Sequence, residues 1–441
     1  MLFIKTIQLS KKKFIQNRIV LLFDTTTTSP CLYPLLYSLT ALRFQSFATQ
    51  QSDMLAIKLW YEFWFLKYST LFCESFFSSG YTPEVYVYEI DNFIVFLENN
   101  KKLEMNLIRL RSNTDVNYKT ITQRLRSVIK FFVFLLDEYW NIRNQDLTIK
   151  EITNHRKKID RFLLNKKKIF GKFSQRSLTV KNTINHSFKS LSNEMVASLY
   201  EVIRPDQKNK TNPNNPFSTQ PHQLRNFLII HLMLNYGLRV GELMLLTEKS
   251  IKKSINSESY SLIVTNTDDE NDTRMRKPSI KNEQSYRVIK LNQKDYNFLV
   301  MYINYIRSCG ESDILFTSLK PPYSPLSYSA INIIFNKIDK VFRYLHPIYF
   351  DNNKVDSIHK ITPHVCRHTW AYITLAFAIK KYQAKGLIDN DENMQQAQEN
   401  LRVLGGWSVN SVMPSYYAKR FIVDSANLLN LKRISEELLE L

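Results

Sequence analysis

The segment NYGLRVGELMLL, residues 235–246, ends one helix and begins another. The apolar run His222 to Tyr236 before it reads as a buried helix. Gly237 stops that helix, because the left-handed position past a helix end suits glycine. The chain then restarts with Arg239, Glu242, Leu243 and Leu246. An arginine at a helix N-terminus is not favoured by the helix dipole. A phosphate at that place would be held by both the arginine and the free amides. The plainer reading is a surface arginine paired with Glu242, three residues on.

A second segment, ITPHVCRHTW at residues 361–370, has the same bias. Thr362 caps and Pro363 suits a first helical turn. His364, Arg367 and His368 then share one face. A zinc site competes, since His364, Cys366 and His368 are all ligand types. Yet HVCRH lacks the glutamate of HExxH, and Cys366 lies about 200° around the helix from His364. The third segment is LRVLGGWSVNSVMPSYYAKRF, residues 401–421. Its glycine pair breaks a helix, Trp407 follows, and Tyr416 comes nine residues after Trp407.

These motifs, in this order, resemble the tyrosine recombinase and phage-type integrase family. GLRVGEL, with Arg239, HVCRH, with His364 and Arg367, and LGGW, with Trp407, stand where the family's motifs stand. The segment SIKNEQSYRVIKL, residues 279–291, is similar to the family's lysine hairpin. Lys281 takes the lysine position there, with Lys277 as the alternative. Counting from Trp407 selects Tyr416 as the nucleophile, whereas the trailing Ala-Lys selects Tyr417. The stretch between Arg367 and Trp407 exceeds the family spacing, and its polar surplus predicts a longer helix pair or an added loop.

The resemblance implies catalytic residues Arg239, Lys281, His364, Arg367, Trp407 and Tyr416, and a reaction without cofactor or metal. Both arginines would neutralise a phosphate with forked donors, and the indole N–H of Trp407 can only donate. Tyr416 would attack phosphorus, giving a 3′-phosphotyrosine, with Lys281 protonating the departing 5′ oxygen. The implied partners are double-stranded DNA with a specific recombination site, further copies in a homotetramer, and accessory DNA-bending or directionality proteins. Integration or excision of a mobile element is the implied event. Two other functions compete: a type IB topoisomerase-like relaxing enzyme, which shares the constellation, and a catalytically silent DNA-binding descendant of a recombinase, against which the intact Arg239, His364, Arg367 and tyrosine argue.

Composition agrees with a polyanionic partner. The 441 residues carry 60 Lys and Arg against 40 Asp and Glu, a formal charge of +20. Cys31, Cys73, Cys309 and Cys366 form no CxxC pair, which predicts a reducing compartment. No apolar run is long enough to span a bilayer, so a cytoplasmic, nucleoid-associated protein is expected. No GxxxxGK or GxGxxG occurs, which removes support for nucleotide hydrolysis.

The expected fold is mainly α with a small antiparallel β-sheet. The resemblance implies a helical core-binding domain and a catalytic domain that close on DNA as a C-shaped clamp. Residues 1–55 read as an N-terminal extension with a strand at Arg18 to Phe23, and 56–150 as the helical DNA-binding domain. There Ile121, Leu125, Val128, Phe132 and Leu135 share a face, leaving Arg124, Arg126 and Lys130 for solvent or DNA. Residues 151–187 read as a basic linker with little helical period, and 188–441 as the catalytic domain. Within the last, Leu428, Leu431, Ile434 and Leu438 line one helical face, which packs on its own domain or docks into a neighbouring copy.

Overall fold

The structure is a computed structural model. It describes residues 2–8, 18–99, 118–143, 147–185, 190–206, 211–255, 258–267, 269–274, 276–280, 282–307, 310–351, 353–354, 357–384 and 390–437. The chain divides into two compact units, Met1–Ile184 and Asn185–Leu441. Each is mainly helical, and the expected small antiparallel sheet lies in the second unit, while the first carries a two-stranded sheet of its own.

The first unit opens with a hairpin of β1 (Leu2–Gln8) and β2 (Arg18–Asp24), in register Leu2 opposite Asp24. Helices α1 (Leu32–Leu39), α2 (Phe47–Tyr68), α3 (Phe72–Ser78), α4 (Glu84–Val87), α5 (Ile90–Glu98), α6 (Tyr118–Arg143) and α7 (Ile149–Asn185) follow. Residues 1–55 are therefore not a separate extension. Val20 and Leu22 of β2 lie in the same core as α2 and α6, and Ser38 of α1 donates to the Val20 carbonyl at 2.5 Å. The pairing partner β1 was the missing signal, since its mixed pattern is legible only once β2 is beside it.

α2 starts at Phe47 because Ser46 caps it, its Oγ accepting from Thr49 N at 3.2 Å. It is apolar on most sides because neighbours cover it on most sides. Trp60 is fully buried and meets Phe132 edge-on at 4.9 Å, with Phe93 and Phe72 edge-on beside it. The predicted stripe of α6 is buried in full, while Arg126 and Lys130 are exposed and Arg124 is half-buried.

The expected basic linker is instead the helix α7. Its cations are good helix formers, and the sparse apolar residues are sufficient. Ile159 and Leu163 are buried, with Ile152 and Phe162 packed beside them. The charges lie outward, where Arg156 bridges Asp137 at 2.7 Å and Lys166 bridges Asp91 at 2.5 Å.

The second unit contains α8 (Asn193–Ile203), α9 (Gln220–Tyr236), α10 (Val240–Leu243), a sheet of β3 (Ile251–Lys253), β4 (Tyr260–Val264) and β5 (Arg287–Leu291), then α11 (Gln293–Tyr305), α12 (Tyr328–Leu345), α13 (Pro363–Ala384), α14 (Asn390–Gly405) and α15 (Met413–Glu437). The sheet order is β3-β4-β5, all antiparallel. α9 runs through the core, with Phe227 to Ile230 and Leu232 to Leu234 buried. The polar surplus before Trp407 lengthens the helix pair α13 and α14, one of its two expected outcomes. In α15, Leu428, Leu431 and Ile434 are exposed, and Leu438 lies outside the described residues. Leu428 and Leu431 line a cleft of about 450 Å³ together with Tyr372 and Ile373. Among the described residues no helix is long and apolar enough to cross a membrane.

Candidate active site

Two turns bring the motifs together. The first follows α9, where Gly237 takes φ +62°. A Cβ there would lie 2.2 Å from the Trp370 ring, so only glycine fits. The chain re-enters a helix at Arg239, whose backbone N–H is accepted by Glu242 Oε2 at 2.9 Å. The second turn follows α14. Gly405 and Gly406 both lie too close to their neighbours for a side chain, and Gly406 has φ +59°.

Arginines from separate elements converge on Glu242, which is 3% exposed. Arg239 Nη1 pairs with its Oε1, and Arg287 Nη2 lies 2.9 Å from Oε2. Arg367 Nη1 lies 3.8 Å from the same oxygen. Burial alone would raise the Glu242 carboxyl. The bond from Arg287 and the charges of Arg287, Arg367 and Arg239 hold it below its ordinary value instead. Three guanidinium groups against one carboxylate leave two positive charges in surplus. This site favours an anion.

The glycine turns supply the remaining acceptors. Arg239 Nη2 donates to the Gly406 carbonyl at 3.0 Å, and its Nη1 donates to Ser285 Oγ at 3.0 Å. Arg367 donates through Nη1 to the Gly237 carbonyl and through Nη2 to that of Gly405. Its guanidinium lies 4.5 Å from the Trp407 ring centroid. Burial pushes the Arg367 pKa down to about 9, and the charge of Arg239 adds to this. Arg239, Arg367 and Trp407 are thus assembled around one centre. Arg239 remains a quarter exposed and Arg367 is nearly buried.

His364 is exposed on the first turn of α13, where Thr362 Oγ1 accepts from Val365 N at 3.2 Å. Its ring meets that of His368 edge-on at 4.1 Å. Cys366 points into the core, away from His364. Tyr416 and Tyr417, on the first turn of α15, part ways. Tyr416 is 46% exposed, whereas Tyr417 is 2% exposed with its hydroxyl bonded to His368 Nδ1. Lys281 lies outside the described residues. Lys277 Nζ donates to the Asp269 carbonyl at 3.3 Å. Asn282, next to Lys281 in the chain, has its Oδ1 2.6 Å from Ser285 Oγ, so the segment after Lys281 is tied to the partner of Arg239.

The sequence motifs did not single out Glu242 as a shared counter-ion, Arg287 as one of its partners, or the His368–Tyr417 pair. Glu242 and Arg287 did stand within the quoted segments. Nothing in the sequence marked Gly237, Gly405 and Gly406 as hydrogen-bond acceptors, because the acceptors are backbone.

Residues 201–376 match the family model described as the phage integrase family. Arg239, Lys281, His364 and Arg367 fall inside that stretch, while Trp407 and Tyr416 lie beyond it. No curated protein matches the chain. Among solved structures, the Tn1549 transposon integrase (residues 82–397, in complex with circular intermediate DNA) is 15% identical, covers 77% of this chain and 86% of its own, and has a TM-score of 0.43. XerH recombinase in a post-cleavage complex with palindromic difH is 14% identical, with coverage of 92% and 86% and a TM-score of 0.47. XerA recombinase is 14% identical, with coverage of 89% and 95% and a TM-score of 0.32.

Proposed function

We propose, from the match of residues 201–376 to the phage integrase family model, that this chain is a tyrosine-type site-specific recombinase acting at a DNA phosphodiester. The observation that carries the reading is the surplus of two positive charges around Glu242, with Trp407 beside Arg367. A phosphodiester resists attack because its non-bridging oxygens repel nucleophiles. Arg239 and Arg367 offset that charge and hold the phosphate as it becomes pentacoordinate.

Tyr416 is the nucleophile in this reading, supported by its exposure beside the buried Tyr417. Its hydroxyl releases a proton to solvent and the oxygen bonds to phosphorus. The bond from phosphorus to O5′ breaks, and O5′ takes a proton from Lys281, the general acid. The 3′-phosphotyrosine keeps the phosphate ester, so a second 5′-hydroxyl rejoins the strand by the reverse step. His364 and Trp407 donate to the phosphate oxygens.

The first unit grips the duplex, supported by exposed Arg126, Lys157, Lys158, Arg161, Lys167 and Lys168. Four copies assemble on paired sites, supported by the exposed Leu428, Leu431 and Ile434 of α15, which offer an apolar face to a neighbour. Integration or excision of a mobile element in the cytoplasm, on nucleoid DNA and with accessory DNA-bending proteins, is the biological setting this reading adopts.

The test is covalent trapping on nicked duplexes drawn from a randomised pool. Wild type yields a protein–DNA adduct that survives denaturant. Tyr416→Phe abolishes it, and Tyr417→Phe retains it. An adduct with Tyr416→Phe but none with Tyr417→Phe reverses the nucleophile assignment. Adducts with both variants remove the mechanism. Relaxation of supercoiled plasmid without any site preference would favour a topoisomerase-like enzyme.

A further inference from the structure

We propose that Trp370 is a positioning residue that sets the Arg367 guanidinium through the Gly237 carbonyl; this rests on the recombinase reading above. Arg367 is 5% exposed, and its carboxylate partner Glu242 stands 3.8 Å away. Its aim is therefore fixed mainly by two backbone acceptors, the carbonyls of Gly237 and Gly405.

Each of those glycines has its bare Cα against an indole ring. A Cβ at Gly405 would lie 2.2 Å from Trp407, and one at Gly237 would lie 2.2 Å from Trp370. The two rings are 6.1 Å apart, tilted by 33°. Arg367 lies 4.5 Å from the Trp407 centroid and 5.8 Å from that of Trp370. The arrangement is a mirrored pair: ring, glycine, carbonyl, guanidinium on each side. Trp407 stands among the catalytic residues that the family resemblance implies, whereas Trp370 does not.

Trp370 stands three residues after Arg367 on α13, so ring and guanidinium leave the same face of the helix. A smaller side chain at 370 would remove the wall behind Gly237. The φ +62° turn would then relax toward the space, and its carbonyl would move off Nη1. The alternative is that Trp370 only fills the core with Leu375, Leu401 and Tyr417. A filler affects folding and every substrate alike. A residue acting through Arg367 affects only substrates whose charge needs that arginine.

A methylphosphonate at the cleaved position makes this distinction, since it lacks one charged oxygen and so needs less neutralisation. The full chain is assayed for its rate of covalent-complex formation on phosphate and methylphosphonate duplexes of the selected sequence. The comparison includes Trp370→Leu, Trp370→Phe and, as reference, Arg367→Ala. Trp370→Leu is expected to lose about 100-fold on phosphate, the scale of a misplacement near 1 Å, and no more than about threefold on methylphosphonate. Trp370→Phe keeps a ring against Gly237 and falls between wild type and the leucine variant. Equal losses on both substrates, or no loss on phosphate, overturn the proposal. If Trp370→Leu does not fold, the same comparison on Trp370→Phe decides it. A wild-type chain that forms no complex on either duplex overturns the recombinase reading, and this inference with it.

Discussion

Replacing Glu242 by glutamine keeps the shape of the site and removes the carboxylate shared by Arg239, Arg287 and Arg367. Glu242 is 3% exposed, so water cannot take over its role. Arg287 lies 2.9 Å from it and Arg367 3.8 Å. Unit charges about 4 Å apart attract by roughly 4 kcal/mol at an effective dielectric constant near 20. The variant forfeits such terms and leaves three guanidinium groups to repel one another. Removing one partner from a buried ionic cluster costs about 3–5 kcal/mol. Urea denaturation followed by circular dichroism should therefore place Glu242→Gln that much below wild type in its second unit.

The pH dependence follows from the direction of the shift. The Glu242 carboxyl is held below its ordinary value, so its contribution is full above the unfolded value near 4.5. It is lost as pH falls through the lower folded value, and glutamine should flatten that acid limb. Freed of its counter-ion, the cluster should also bind the DNA backbone more tightly while cleaving more slowly. A stability loss under about 1 kcal/mol, or weaker DNA binding, refutes the view that Glu242 is the shared counter-ion.

Gly406→Ala forces a Cβ to within 2.9 Å of Ser285 Cα at φ +59°, and should cost about 1–3 kcal/mol by thermal denaturation while slowing adduct formation. Trp60→Ala empties the aromatic core of the first unit and should cost about 3–5 kcal/mol, read as lost hydrogen-exchange protection confined to residues 2–184. Asp295 is raised by burial but held low overall by His231 and Tyr236, so its contribution is present above the ordinary value near 3.8 and disappears as pH falls through the lower folded value. Asp295→Asn should remove that acid dependence, measured as the slope of melting temperature against pH.

Much of the second unit was legible because its motifs use side chains whose chemistry is visible in isolation. The arginine after Gly237 stands at a helix N-terminus, where the dipole disfavours it, the Thr-Pro start of α13 sets the helix that carries His364 and Arg367, and the tryptophan follows a glycine pair. The outcome at Arg239 joins two readings that the sequence left apart. It does pair with Glu242, but that glutamate is buried and also engaged by Arg287 and Arg367. The first unit was harder to read. Ile159 and Leu163, with Ile152 and Phe162 beside them, anchor α7 among cations, and a period built on few apolar positions vanishes in a charged run. The hairpin at the N-terminus was half visible, because β2 alternates less than it buries: Ile19 to Leu22 are all covered. For Tyr416 and Tyr417 the count from Trp407 and the trailing Ala-Lys pointed to different residues, and two neighbours on a helix differ mainly in the direction they face.

The seat of Arg367 has a consequence for how the protein is made. Its two carbonyl acceptors, Gly237 and Gly405, are 168 residues apart in the chain. Synthesis proceeds from the N-terminus, and domains fold as units as they emerge. The first unit is contiguous, Met1–Ile184. The second can begin its helices early, but Arg367 has only one side of its socket until Gly405 leaves the ribosome. Closing so distant a contact is slow and comes late. A growing chain therefore completes its first unit well before the seat of Arg367 can close.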